Sequence, residues 1–385
     1  MHLRSKLPKS ETTIFSVMSA LANDYQAINL GQGFPDYDCD DKLRTLVTKY
    51  LNLQKNQYCP MPGLLDLRQA IGHKMNKSYG TNLDATTQIC VTAGATQALF
   101  TAITAFVHQG DEVIIIEPAY DSYTPSIKIA GGVPIPYMLH APDYSIDWNA
   151  FETLVTSKTR MIIINTPHNP TGTILKKSDL EALENIVLGK NIIVLSDEVY
   201  EHLIYDNEPH QSVLRFPKLF EQSLAVYSFG KTFHSTGWKI GYCVGPDYLM
   251  KEFINVHQWN VFSVNSFVQF ALAEYLEDEG TYNYLSTFFQ QKRDFLNDEL
   301  AQTSLVPMIS QGTYFQLYNY EAVSDLEDIA FAKYLTTEVG VAAIPLSPFY
   351  SKPPNDKVIR LCFAKTEATL AKAAERLQGY FGKNL

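Results

Sequence analysis

The sequence predicts an α/β fold, with a mostly parallel sheet in a large domain and a smaller α+β domain beside it. Three observations point there. From about residue 87 to 245, short apolar runs alternate with stretches of helical periodicity. The runs are continuous and β-branched, as in strands buried on both faces. After about residue 285 that rhythm stops, and strands and helices follow in a looser order.

Near the N-terminus, Ile14, Met18 and Leu21 recur at helical spacing. Residues 88–91 predict the first strand of the sheet, and 96 to about 107 the helix that follows it. Residues 112–116, 160–164, 191–195 and 224–227 predict further strands. These end in polar residues: Glu117, Asn165, Ser196-Asp197 and Ser228. Downstream come a helix around 291–300, strands at 313–317, 341–344 and 358–363, and a closing helix. The large domain is therefore expected at 40–285, and the small one at 1–39 plus 286–385.

The 385-residue chain is 46% apolar and 19% charged, the composition of a globular protein with a large core. Its net charge of −10 argues against a nucleic-acid or anionic-membrane partner, so a bound anion must meet local cations. No apolar run nears the ~20 residues that span a bilayer. Cys39, Cys59, Cys90, Cys243 and Cys362 form no C-x-x-C pair. That suggests reduced thiols and a cytoplasmic location, with neither disulfides nor a metal site. Arg4, Lys6 and Lys9 before Ala20-Leu21-Ala22 give a faint likeness to a secretion signal. Glu11, Thr12, Thr13, Ser16 and Ser19 interrupt the apolar patch and argue against it.

In open α/β sheets, ligands bind beyond the carboxyl ends of the strands, and the unusual polar clusters lie there. Gly94-Ala95-Thr96-Gln97 joins a strand to a helix, where small residues and a helix N-terminus suit a phosphate. The alternative is an ordinary turn with Thr96 as N-cap. Asn169-Pro170-Thr171-Gly172 is a turn past the strand that ends at Asn165. Asp197-Glu198-Val199-Tyr200 ends a buried strand in a carboxylate, which is costly without a cation or donors. The alternative there is a helix N-cap. Ser228-Phe229-Gly230-Lys231-Thr232 sets a lysine just past another strand, and Lys239 follows. Gly230-Lys231-Thr232 is not the end of a P-loop, because that motif needs a glycine where Ala225 stands.

A lysine nucleophile, a buried carboxylate, a phosphate nest, an asparagine and a tyrosine together are the requirements of pyridoxal 5'-phosphate. Lysine forms the Schiff base. The carboxylate keeps the pyridine nitrogen protonated, which makes the ring a better electron sink. Asparagine and tyrosine donate to the phenolic oxygen.

On these motifs, in this order, nearly the whole chain resembles the class I (fold-type I) aminotransferases. It is most similar to the methionine-preferring aminotransferases and to the kynurenine aminotransferase/glutamine transaminase K group. The resemblance implies that Lys231 carries the cofactor and shuttles the proton, that Asp197 pairs with the ring nitrogen, and that Asn169 and Tyr200 hold the phenolic oxygen. It assigns the phosphate to the Ala95 and Thr96 amides, Ser228 and Lys239. Tyr120, in Glu117-Pro118-Ala119-Tyr120, is expected to stack on the ring. Tyr58 matches the tyrosine that reaches the neighbouring subunit's phosphate, implying a homodimer with shared sites. Gly33 lies where the N-terminal segment covers the substrate. Arg360 matches the arginine that grips the substrate α-carboxylate. The residues themselves agree, because a guanidinium between Ile359 and Leu361 in an apolar strand needs an anion and suits a carboxylate bidentately. The alternative is a structural ion pair with an Asp or Glu.

Three departures stand out. The second cation is Lys239, not arginine, a feature shared with the kynurenine group. Gly230 and Gly94 replace serines found in other members. Phosphate contacts should therefore lean on backbone amides and Ser228. For the substrate side chain, Tyr25, Phe34, Tyr37 and Tyr123 suggest aromatic walls suited to thioethers and rings. The expected reaction is ping-pong transamination between methionine or an aromatic amino acid and a 2-oxo acid. The rival expectations are a cysteine-conjugate β-lyase and a non-catalytic cofactor-binding regulator.

Overall fold

The computed structural model describes residues 5–8 and 12–383. Arg4, Lys9 and Glu11, on which the secretion-signal comparison drew, lie outside the described residues. Ile14–Asp24 is a helix with Met18 on its buried side, and the Thr13 hydroxyl caps it by accepting from the Ser16 amide.

After the short strand β1 (Ile28–Asn29), seven strands build the main sheet. They are β2 (Ile89–Thr92), β3 (Glu112–Glu117), β4 (Val133–Met138), β5 (Thr159–Asn165), β6 (Ile193–Asp197), β7 (Ser223–Ser228) and β8 (Gly241–Val244). Their order is β2-β8-β7-β6-β5-β3-β4. All pairings are parallel except those of β8, which runs antiparallel to both β2 and β7. Successive residues of the central strands feed two separate cores. Ile163, Leu195 and Val226 join one, under the helix Ala95–Phe106, and Ile162, Val194 and Ala225 join the other. Burial on both faces is what the continuous β-branched runs encode.

Two strands of the main sheet escaped the sequence pattern. β4 is an edge strand with an exposed Val133, and it carries Pro134 and Pro136, which an edge tolerates because one side needs no amide donors. β8 is short, and nothing in an apolar run reveals its direction.

Beyond residue 300, β9 (Val306–Pro307), β10 (Phe315–Asn319), β12 (Ile344–Pro345) and β13 (Val358–Cys362) form an antiparallel sheet in the order β12-β13-β10-β9. The strand β11 (Val341–Ala342) pairs in parallel with β1, tying the N-terminal segment to this C-terminal part. Glu367–Phe381 is the closing helix, capped by the Thr366 hydroxyl. All five cysteines are buried and unpaired. Among the described residues no helix is long and apolar enough to cross a membrane.

Candidate active site

The carboxyl ends of β2, β5, β6 and β7 open into one cleft. Ala95, Thr96 and Tyr120 line it, as do Asn169, Asp197 and Tyr200, and then Ser228, Lys231 and Lys239. The reversed direction of β8 explains Lys239. A residue just before an antiparallel strand sits at the same rim as residues just after its parallel neighbours.

Gly94 has φ +79°, a left-handed conformation that side chains other than glycine adopt under strain, and it occupies the cap position of the helix Ala95–Phe106. No side chain caps that helix, so its first amides remain free toward the cleft. This corrects the N-cap alternative for Thr96, whose hydroxyl instead lies 3.3 Å from that of Tyr120.

Asp197 is 4% exposed. Its carboxylate accepts from the Tyr123 hydroxyl at 2.6 Å and from the Val199 amide at 3.3 Å. No helix follows it, so it is not a helix cap. Burial pushes its pKa up to about 6, against the opposing pull of those two donors. Among the described residues no cation makes an ion pair with it. Tyr123 is therefore not a substrate wall, as expected from sequence, but a buried donor to Asp197.

Lys231 sits on the short turn of helix Phe229–Thr232 directly after β7. Its amine donates to the Tyr314 hydroxyl at 2.6 Å and to the Gly33 carbonyl at 3.2 Å. The Tyr314 hydroxyl in turn donates to the Gly33 carbonyl. Desolvation, helped by the charges of Arg360 and Lys239, pulls the amine down to about 8. Tyr314 went unnoticed in the sequence because it lies 83 residues from Lys231, inside what reads as an ordinary strand start. Tyr200 is buried beside it, with the two rings edge to face at 5.1 Å.

Arg360 is 1% exposed in the middle of β13. It donates to the Asn169 side-chain oxygen at 2.7 Å and to the Gly31 carbonyl at 3.2 Å. Its Nε has no partner, and among the described residues no carboxylate makes an ion pair with it. That removes the structural-ion-pair alternative. Phe315, Phe15 and Phe349 surround the guanidinium, with ring centroids 3.8, 5.2 and 5.7 Å from Cζ. Burial draws its pKa down to about 10, so it stays charged at neutral pH and is short of an anion.

Tyr58 is not brought into the cleft. It is 80% exposed and packs edge to face on Phe262. Tyr37 packs instead on His234 and Phe288, and Phe34 lies under the Lys365 amine. Tyr25 is exposed.

Pyridoxal phosphate is tested here by the donor set. A buried carboxylate without a cation, an amine of lowered pKa, uncapped helix amides beside a lysine, and an arginine with an orphaned Nε leave unmet the charges that such a cofactor and an amino-acid carboxylate would supply. The residues fit the group.

This donor set at the strand ends of a mostly parallel sheet is a site for amine and carboxylate chemistry. Residues 25–377 match the family model "Aminotransferase class I and II", and the chain belongs to that family. It is 50% identical over 376 residues to a methionine aminotransferase of Escherichia coli strain K12, covering 97% of each chain. A kynurenine–oxoglutarate transaminase of Dictyostelium discoideum is 36% identical over 416 residues, covering 96% of this chain and 95% of that one. A solved Escherichia coli structure described as having a methionine aminotransferase function superposes with a TM-score of 0.97 at 49% identity. That match covers 98% of this chain and 100% of the other.

Proposed function

We propose that this transaminase uses pyridoxal 5'-phosphate to move the amino group of methionine or an aromatic amino acid to a 2-oxo acid. The observation that carries the reading is the cleft itself. Lys231, Asp197 and the uncapped amides of Ala95 and Thr96 line one cavity, and Arg360 bonds to Asn169 at its wall. When bound, the cofactor supplies an electron sink for the pair left on the substrate Cα. Lys231 would hold it covalently and Asp197 would face its ring nitrogen. Asn169 and Tyr200 would hold its phenolic oxygen, and Tyr120 would lie on its ring. Its phosphate would meet the Ala95 and Thr96 amides, Ser228 and Lys239.

Arg360 binds and orients the substrate carboxylate, with Gly33 in the segment that covers it. Lys231, as a free amine, would take the proton from the substrate Cα and hold it for transfer. A lowered pKa suits that task, because more of the amine is unprotonated near neutral pH. The methionine and kynurenine activities named for the relatives support an apolar substrate side chain.

The reading includes a homodimer in which Tyr58 serves the neighbouring subunit's phosphate. The exposure of Tyr58, Phe262 and Trp259 supports it, since large aromatics in contiguous exposed positions mark contact surfaces. It takes 40–285 as the cofactor domain and 1–39 plus 286–385 as the small domain, which the β1–β11 pairing supports. The cytoplasmic assignment is supported by the unpaired thiols. A panel of amino acids with a fixed 2-oxo acid tests the substrate. Methionine and phenylalanine should exceed aspartate in kcat/KM, and a clear preference for aspartate would overturn the reading.

A further inference from the structure

We propose that Tyr314 is a positioning residue for the base: with the Gly33 carbonyl, it aims the lone pair of the freed Lys231 amine at the substrate. The inference rests on the pyridoxal-phosphate reading above and concerns the moment when Lys231 is a free amine.

A carbonyl oxygen only accepts, so the contact between the Tyr314 hydroxyl and the Gly33 carbonyl fixes the phenolic hydrogen on Gly33. The phenolic oxygen then accepts from Lys231, whose amine lies 2.6 Å away, with the Tyr200 hydroxyl as its other polar neighbour. The Gly33 carbonyl, 3.2 Å from the same amine, is a second acceptor. A neutral amine has two hydrogens and one lone pair. With both hydrogens committed to Tyr314 and Gly33, the lone pair has one direction left, away from both and out of the triangle. When it takes the Cα proton, the C–H bond breaks and its electron pair stays on the substrate. A new N–H bond forms from the lone pair, leaving an ammonium with Tyr314 and Gly33 still accepting.

The two acceptors are held firmly. Tyr314 is 1% exposed and wedged against Phe315, Tyr200 and Phe289, at centroid distances of 4.9, 5.1 and 6.0 Å. The segment 31–36 that presents Gly33 is docked on the C-terminal turn. Lys365 donates to the Phe34 carbonyl at 2.7 Å, and Asp36 accepts from the Thr366 amide and the Thr369 hydroxyl, each at 2.6 Å. The base is thus oriented by the residue just before β10 and by the segment that covers the substrate. The charged and titratable groups bearing on the amine are Asp197 from β6, Arg360 and Cys362 from β13, and Lys239 from the β8 approach. The Tyr200 and Tyr314 rings lie 5.5 and 5.2 Å from it.

Tyr314→Phe keeps the ring and its packing and removes only the hydroxyl. In cofactor-free full-length protein, acetic anhydride labelling of Lys231 across pH, read by peptide mass spectrometry, gives the amine's titration midpoint. Loss of an acceptor that favours the charged form should lower that midpoint by about one unit. In the cofactor-loaded protein, single-turnover Cα–H cleavage should slow by roughly 10- to 100-fold. The isotope effect with α-deuterated methionine should rise, with KM changed less than about twofold. A purely structural role moves neither the labelling midpoint nor the isotope effect. An unchanged midpoint with an unchanged isotope effect overturns the inference. Failure of the wild-type protein to bind pyridoxal phosphate overturns the functional reading instead, and the labelling measurement remains readable in either case.

Discussion

Asp197→Asn should make the cofactor-free protein more stable while weakening its grip on the cofactor. The wild-type carboxylate is buried with no ion-paired cation among the described residues, and its pKa rises from 3.8 to about 6 on folding. A raised carboxyl pKa means that the folded chain binds the proton more tightly than the unfolded chain. The penalty is therefore absent below the unfolded value, grows as pH rises between the two values, and is complete above the folded one. A shift of about 2 units corresponds to about 3 kcal/mol at pH 8 and roughly half of that at pH 5. Asparagine removes the charge and keeps one acceptor for Tyr123, at the cost of the longer Val199 bond, about 1 kcal/mol. The net gain for the variant is about 2 kcal/mol at pH 8 and under about 1 kcal/mol at pH 5. Urea unfolding of cofactor-free wild type and variant at both pH values measures it, alongside a pyridoxal-phosphate titration at pH 8. No gain at pH 8, or a gain independent of pH, would refute the idea that Asp197 is a charge held in wait for a cation.

Three further outcomes are expected. Arg360→Lys loses the planar fork that Asn169 and Gly31 orient, and KM for methionine should rise about 30-fold, roughly 2 kcal/mol, in steady-state assays. Gly230→Ala places a Cβ 3.0 Å from the Thr236 Cα and 3.3 Å from the Ser235 carbonyl. It should cost about 1–3 kcal/mol in urea unfolding and loosen cofactor binding by moving the Lys231 turn. Mixing Lys231→Ala with Tyr58→Ala subunits should restore about a quarter of wild-type sites, because half the dimers are hybrids and each hybrid has one intact site if Tyr58 acts across the interface. No recovery on mixing would mean that Tyr58 serves its own chain or none.

Much of this cleft was legible because buried parallel strands announce themselves as continuous β-branched runs, and the residues just past them share one rim. That is why Asn169, Asp197 and Lys231, far apart in the chain, converge. Arg360 stood out because a guanidinium inside an apolar strand has no cheap alternative to an anion. The misreadings have a common physical origin. Tyr123 follows the ring-stacking candidate Tyr120 by three residues, and composition does not say which way a ring faces; burial turns it toward Asp197. Tyr314 immediately precedes β10 of the other sheet, so its contact with Lys231 exists only after the two sheets meet. Thr96 and Asp197 both have N-cap chemistry. The cap at 94 falls to a glycine in a left-handed conformation, and no helix follows 197. Strand β4 was hidden by its prolines and its exposed edge.

The central claim is that Lys231 is the reacting amine of a pyridoxal-phosphate transaminase. The most direct measurement is the visible absorbance of the purified protein, supplied with pyridoxal phosphate, before and after adding methionine without any acceptor. The account predicts a cofactor band that is lost as one equivalent of 2-oxo acid appears. In Lys231→Ala the cofactor should still bind, but methionine should yield no 2-oxo acid. No band in the wild-type protein, or 2-oxo acid formed at near-normal rate by Lys231→Ala, would contradict it.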